Sequence, residues 1–175
     1  MLQPYEQSVL AACKSNGPLL TGLLTHNGAA VDGATLLWAI SGIESSHGRD
    51  RLHARQESNY SPGGLFYARS VDLQQSWKTH GVLAACSFGS WQVLYQVARE
   101  LGFKGQPEEL KDDRICCAMA TVLILERLIR KQGAKTLTEV LDSFNSGSHR
   151  DACVPLAYIR NGTHLYLEGL PYVNS

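Results

Sequence analysis

The run Ile115–Ile129, ICCAMATVLILERLI, carries the strongest core signal in the chain and decides the fold class. Ile115, Ala118, Met119, Val122, Leu125 and Ile129 recur at helical spacing, and most positions on the other side of the same helix are apolar too. A helix that is apolar nearly all round needs protein on every side. The stretch therefore predicts a central buried helix around which a mainly helical chain packs.

On its C-terminal side, Thr136 and Glu139 form a capping box for a short helix ending at Phe144. A last helix is predicted over residues 152–160, with loop or short extended pieces to Ser175. On its N-terminal side, Pro107 suits the first position of a brief helical turn. A helix is expected from Ser90, carrying Trp91, Leu94, Tyr95, Ala98 and Leu101 before Gly102. Asp32 is an N-cap candidate for a helix that places Leu36, Leu37, Ile40 and Ile43 on one side and frays near Ser45 to Gly48. The first helix covers Tyr5–Lys14, and a short leucine-rich stretch after it stops at Asn27-Gly28. Residues 49–80 break the pattern, with charged side chains on both sides of Pro62-Gly63-Gly64. They read as an irregular excursion with a short helix near Val71–Lys78, a loop on the scale that usually serves function. Strand signals are weak and confined to that excursion and the tail. The expectation is a single domain over 1–175, mainly α, with a small irregular or β excursion.

Composition narrows the function. The 175 residues suffice for one well-buried core and are short for two full domains. Sixteen basic and 16 acidic side chains cancel, which excludes holding a polyphosphate backbone by bulk charge and predicts no nucleic-acid partner. No apolar run is long enough for an integral membrane span. The opening MLQPYEQSVLAACKSNGP has no basic segment before its apolar patch, so synthesis in the cytoplasm without a signal peptide is expected. Five cysteines without a C-x-x-C pair predict buried free thiols. The six histidines form no H-x-x-x-H pair, and no phosphate-binding or dinucleotide glycine motif is present. No metal and no cofactor is expected.

Glu44 stands out chemically. It falls seven residues after Leu37 and four after Ile40, which puts it on the apolar face near a helix C-terminus. Partial burial and the negative end of the helix both disfavour a charged carboxylate, and a raised pKa is what a general acid needs. Two polar segments follow. In Gly89-Ser90-Trp91-Gln92, a glycine and a serine allow a tight entry and Gln92 offers an amide beside an apolar turn. In Phe144-Asn145-Ser146-Gly147, Asn145 offers another amide at a helix exit.

Together, and in this order, these elements resemble the lysozyme-like catalytic domain of soluble lytic transglycosylases and goose-type lysozymes, glycoside hydrolase family 23. That family has Glu-Ser at a helix end, then Gly-[Leu/Ala/Ser]-[Met/Trp]-Gln, a long buried helix, and Tyr-Asn-[Ala/Gly]-Gly. The counterparts are Glu44-Ser45, Gly89 to Gln92, Ile115–Ile129, and Phe144 to Gly147, so the resemblance covers roughly residues 32–160. It implies a lysozyme-like α+β fold and makes Tyr158 the candidate for a tyrosine that reaches the sugar from the last helix. Two departures mark the chain. The interval from Glu44 to Gln92 is 48 residues, longer than the family's, and Phe144 stands where the family has tyrosine. Inside the excursion, Arg55 to Tyr60 resembles a segment of certain phage and bacterial muramidases in which a second glutamate follows the catalytic one, and this singles out Glu57.

The resemblance implies a peptidoglycan-degrading glycosidase, a muramidase or a lytic transglycosylase, cutting the β-1,4 link between N-acetylmuramic acid and N-acetylglucosamine. Glu44 is the expected acid. In a hydrolase Glu57, with Asp50 and Asp72 behind it, is the expected second carboxylate, whereas a transglycosylase needs none. Gln92, Asn145, Tyr158, Ser90, Tyr60 and His53 are the expected sugar-binding residues, and Phe66, Tyr67 and Trp77 either wall the groove or pack inside. The alternatives are a catalytically weak glycan-binding or structural module on the same fold, or a chitinase-type hydrolase. The expected partner is the peptidoglycan strand and the expected state a monomer. It would reach the cell wall or periplasm as an antimicrobial phage-type endolysin released by a holin, by virion delivery or by injection. Residues 49–80 hold five basic and three acidic side chains, a local excess of +2 that suits an anionic glycan.

Overall fold

The computed structural model describes residues 2–147 and 155–173. Its architecture is mainly α, with two small antiparallel sheets. Helix α1 (Pro4–Asn16) passes through a 3-10 turn into a hairpin of β1 (Thr25–His26) and β2 (Ala29–Ala30). Asn27 and Gly28 form its tip with φ of 50° and 81°, the left-handed pair that a two-residue hairpin turn requires.

Helix α2 (Gly33–Ser45) starts where the sequence predicts. Asp32 Oδ1 accepts from the Thr35 backbone N–H at 2.7 Å and from its hydroxyl at 2.6 Å. Every residue from Gly33 to Ser41 is buried, so α2 is the helix enclosed on all sides. Its largest contact is with α8 (Leu156–Val173). The two helices approach closely because α8 turns glycines toward its neighbours. A Cβ on Gly162 would sit 2.8 Å from Leu141 and 2.9 Å from Ile43, and one on Gly169 would sit 2.8 Å from the Trp38 ring. The Tyr166 hydroxyl also accepts from the Asp32 backbone N–H at 2.9 Å.

The run that decided the fold class forms α6 (Asp113–Val122), continued by a π-helical stretch Leu123–Lys131. Its deepest face is the one opposite to the face predicted. Cys116, Cys117, Ala120, Thr121, Ile124 and Leu128 are buried, while Ile115, Ala118, Met119, Val122, Leu125 and Ile129 are half-buried. Small side chains went inside because α1 packs directly against this helix.

Between α2 and α6 lie β3 (Arg55–Gln56), α3 (Leu65–Arg69), α4 (Val71–His80), β4 (Cys86–Phe88), β5 (Val93–Leu94) and α5 (Tyr95–Glu100). The sheet order is β3-β4-β5, with Arg55 opposite Ser87 and Ser87 opposite Leu94. This corrects the expectation of a helix from Ser90. Gly89 and Gln92 take φ of 73° and 47°, so residues 89–92 turn back on themselves and the helix begins only at Tyr95. Strands also lie outside the excursion and the tail, in β1, β2, β4 and β5. The tail itself is corrected to helix through Val173, with Pro171 near its end. Helix α7 (Leu137–Ser146) has the predicted Thr136–Glu139 capping box. Among the described residues no helix is long and apolar enough to cross a membrane.

Candidate active site

Glu44 sits in the last turn of α2, and its side chain is only 7% exposed. Tyr158, in the first turn of α8, donates its hydroxyl to Glu44 Oε1 at 2.7 Å. Arg55 faces the other oxygen, with Nη1 3.6 Å from Oε2. Burial pushes the Glu44 carboxyl above its ordinary pKa, and the nearby charge of Glu57 adds to this; the Tyr158 hydrogen bond and the Arg55 charge pull back without cancelling it. The Tyr158 hydroxyl is pushed well above its usual value by burial and by the Glu44 charge, so it remains a donor.

Arg55 holds the second carboxylate more tightly. Its Nε donates to Glu57 Oε1 at 2.9 Å. Burial lowers the Arg55 pKa, but the Glu57 hydrogen bond and the charges of both glutamates outweigh it and hold it above the free value. The Ser87 hydroxyl lies 3.2 Å from the same Glu57 oxygen, 3.2 Å from Gln92 Oε1 and 3.3 Å from the Arg55 carbonyl. One proton serves three acceptors, so Ser87 is the hub that registers β3 against the 89–92 turn. Among the described residues, the side-chain contacts of Glu57 fall on Oε1, and Oε2 is left to solvent or ligand.

Arg55 and Glu57 open onto a groove of about 530 Å³ whose lining includes neither Glu44 nor Tyr158, so Glu44 is joined to it through Arg55. Arg55, Glu57, Ser87 and Gln92 line it, and Tyr60 and Phe66 form an aromatic wall with ring centroids 4.9 Å apart. Phe144 and Asn145 line it from the end of α7, and Glu100 and Arg127, 3.9 Å apart, also face it. Gln92 holds a left-handed backbone that is uncommon for a non-glycine residue, and its side chain donates to the Gly89 carbonyl at 2.9 Å. The strain fixes its amide beside Ser87, at the groove surface.

Other expected residues lie elsewhere. Ser90 is wholly buried and gives its hydroxyl to Asp113, which also accepts from Ser8 at 2.6 Å. It therefore ties the turn to α6 and α1 and presents nothing to the groove. His53 is exposed and reaches the site through its carbonyl, 3.4 Å from Gln92 Nε2. His47 stacks on Trp38 at 3.9 Å and lines a separate depression with Leu2 and Tyr172. Asp50 pairs with Arg49 at 3.9 Å, Asp72 begins α4, and neither lines the groove. Tyr67 and Trp77 pack edge to face with each other, 5.8 Å apart, away from the groove lining. Cys13, Cys86, Cys116 and Cys117 are buried free thiols; Cys153 lies outside the described residues. Among the described residues no group of three His, Cys, Asp or Glu is arranged to hold a metal ion.

Arg55 and Ser87 carry much of this geometry, and the sequence did not mark them as site residues. The alternation Arg55-Gln56-Glu57 was the available signal, because residues two apart in an extended segment share a face. Comparison with models of known protein families, with curated proteins and with solved structures found no match. The chemistry of these side chains therefore carries the functional argument.

Proposed function

We propose that the protein is a glycosidase that cleaves the β-1,4 link between N-acetylmuramic acid and N-acetylglucosamine in peptidoglycan, with Glu44 as general acid. One observation carries this reading: a buried carboxyl with a raised pKa is coupled through a single guanidinium to a second, more exposed carboxylate beside an open aromatic groove. A carboxyl raised by burial next to a second carboxylate is an arrangement that suits a general acid. The shared guanidinium also keeps the two facing oxygens within roughly 9 Å, a span compatible with glycosidase carboxylate pairs.

In the hydrolytic reaction, Glu44 gives its proton to the bridging oxygen as the glycosidic bond breaks. Glu57 Oε2 takes a proton from the water that bonds to the anomeric carbon. Gln92, Asn145 and the Tyr60–Phe66 wall hold the sugar, while Tyr158 orients Glu44. In the transglycosylase reaction, ionised Glu44 instead takes the proton of the muramoyl 6-hydroxyl, which attacks the same carbon. Glu57 at the groove, with its Oε2 unbonded among the described residues, supports hydrolysis.

Mass spectrometry of digested peptidoglycan tests this. Hydrolysis leaves reducing ends and transglycosylation leaves 1,6-anhydro ends; no cleavage by the wild type overturns the proposal. Glu44→Gln is expected to lower kcat by at least about 100-fold, the usual size of a general-acid contribution. Glu57→Gln is expected to be severe for hydrolysis and nearly harmless for transglycosylation.

A further inference from the structure

We propose that Arg55 is a positioning residue for both carboxylates: anchored on Glu57 through Nε, it withdraws Nη1 from Glu44 when a sugar enters, so that glycan binding itself frees the acid. The inference rests on the glycosidase reading and adds to it what happens between the empty and the filled groove.

The two oxygens of Glu44 have different neighbours. Oε1 is taken by the Tyr158 hydroxyl at 2.7 Å. Oε2 has no hydrogen-bond donor among the described residues, and Arg55 Nη1 faces it at 3.6 Å. A guanidinium has donors and no acceptor, so it opposes a proton on the oxygen it faces. The contact therefore favours the ionised carboxylate and holds the acid back, without cancelling the effect of burial.

The contacts of Arg55 are unequal. The bond to Glu57 is a charge-assisted hydrogen bond of 2.9 Å, whereas the approach to Glu44 is longer than a hydrogen bond. Arg55 lies on a two-residue strand at the edge of its sheet, and its side chain is 59% exposed. A pivot of the rigid guanidinium about its Nε bond to Glu57 lengthens the weaker contact and keeps the stronger one. Among the described residues, the charged and titratable groups facing Glu44 are Tyr158 from α8 and Arg55 and Glu57 from the β3 segment. Of these, Arg55 is the only cation.

The test compares two pH profiles on soluble peptidoglycan fragments. The profile of kcat/KM reports the free enzyme and that of kcat the complex. In the wild type the basic limb of kcat/KM should lie at lower pH than that of kcat. In Arg55→Gln the limb of kcat/KM should move up to join that of kcat, and Arg55→Lys should restore part of the separation. Coincident limbs in the wild type, or an unchanged separation in Arg55→Gln, overturn the inference.

A second measurement needs no turnover and separates this inference from the glycosidase reading. Carboxyl-carbon NMR of Glu44 in the resting protein should show a higher titration midpoint in Arg55→Gln than in the wild type. Adding chito-oligosaccharide or peptidoglycan fragments should raise the wild-type midpoint and leave that of Arg55→Gln nearly unchanged. If these shifts occur without cleavage, the glycosidase reading fails and the Arg55 inference stands. If cleavage occurs without them, the reverse holds.

Discussion

Glu44 and Tyr158, 114 residues apart in the chain, meet in one hydrogen bond between α2 and α8. That bond opposes the effect of burial on the carboxyl, because a hydroxyl donor favours the ionised form. Tyr158→Phe removes the donor, so the pKa of Glu44 should rise further. The group then keeps its proton to higher pH, and the basic limb of the activity profile should move upward. The loss also leaves a buried carboxylate oxygen without a partner, at a cost of about 1–3 kcal/mol in stability. A pH–rate profile and a urea titration at pH 7 check the two halves. At this scale the burial of Glu44 was legible, since its spacing from Leu37 and Ile40 fixes its face. Arg55 was hidden because its role depends on β3 pairing with β4, and a two-residue strand leaves almost no pattern to read. Ser90 misled because an exposed serine and one bonded to a buried aspartate look the same in a chain.

Helix ends were legible where a side chain caps the backbone, as at Asp32 and Thr136. Such caps are local and need no tertiary information. Helix α8 was not legible beyond Arg160, because Gly162, Gly169 and Pro171 read as breakers. In the folded protein the two glycines are contact points, and packing against α2 outweighs their low helix propensity. The same logic governs the junction of α1 and α2. A Cβ on Gly33 would lie 2.1 Å from the Gly17 carbonyl oxygen and 2.8 Å from the Leu20 Cβ. Gly33→Ala forces backbone apart, and any gain in helix propensity is small at a first turn. A destabilisation of about 3 kcal/mol is expected, read as a lower urea midpoint with an unchanged slope. The site lies at the other end of α2, so kcat well below the unfolding transition should stay within about twofold of wild type. A larger loss of kcat with unchanged stability would contradict this division of the helix into a structural end and an end that carries the candidate site.

At the scale of the whole molecule, net neutrality argues that recognition belongs to the groove, where Arg55 and Arg127 stand against Glu57 and Glu100. Four segments line it, residues 55–66, 87–100, 123–128 and 143–147, and Arg55 joins it to Glu44 and Tyr158. Assembling a buried acid in this way has a thermodynamic signature. The folded-state pKa of Glu44 is raised by burial, so the native protein holds this proton more tightly than the unfolded chain does. Its contribution is fully present below the ordinary glutamate range and is lost as pH rises through the raised folded value. Above that value the carboxylate is ionised in a desolvated place and weakens the fold. Gln carries no such charge, so Glu44→Gln should be more stable than the wild type at pH 7, by roughly 1 kcal/mol. The advantage should shrink to nothing as pH falls below the value of a free glutamate. His47 acts in the opposite sense, because burial lowers its pKa and acid then charges it inside the fold. It is present in both proteins, so the difference between their stability–pH curves isolates Glu44. Parallel thermal melts across pH 4 to 8 read that difference, and a gap that stays constant with pH would mean that Glu44 does not exchange its proton on unfolding.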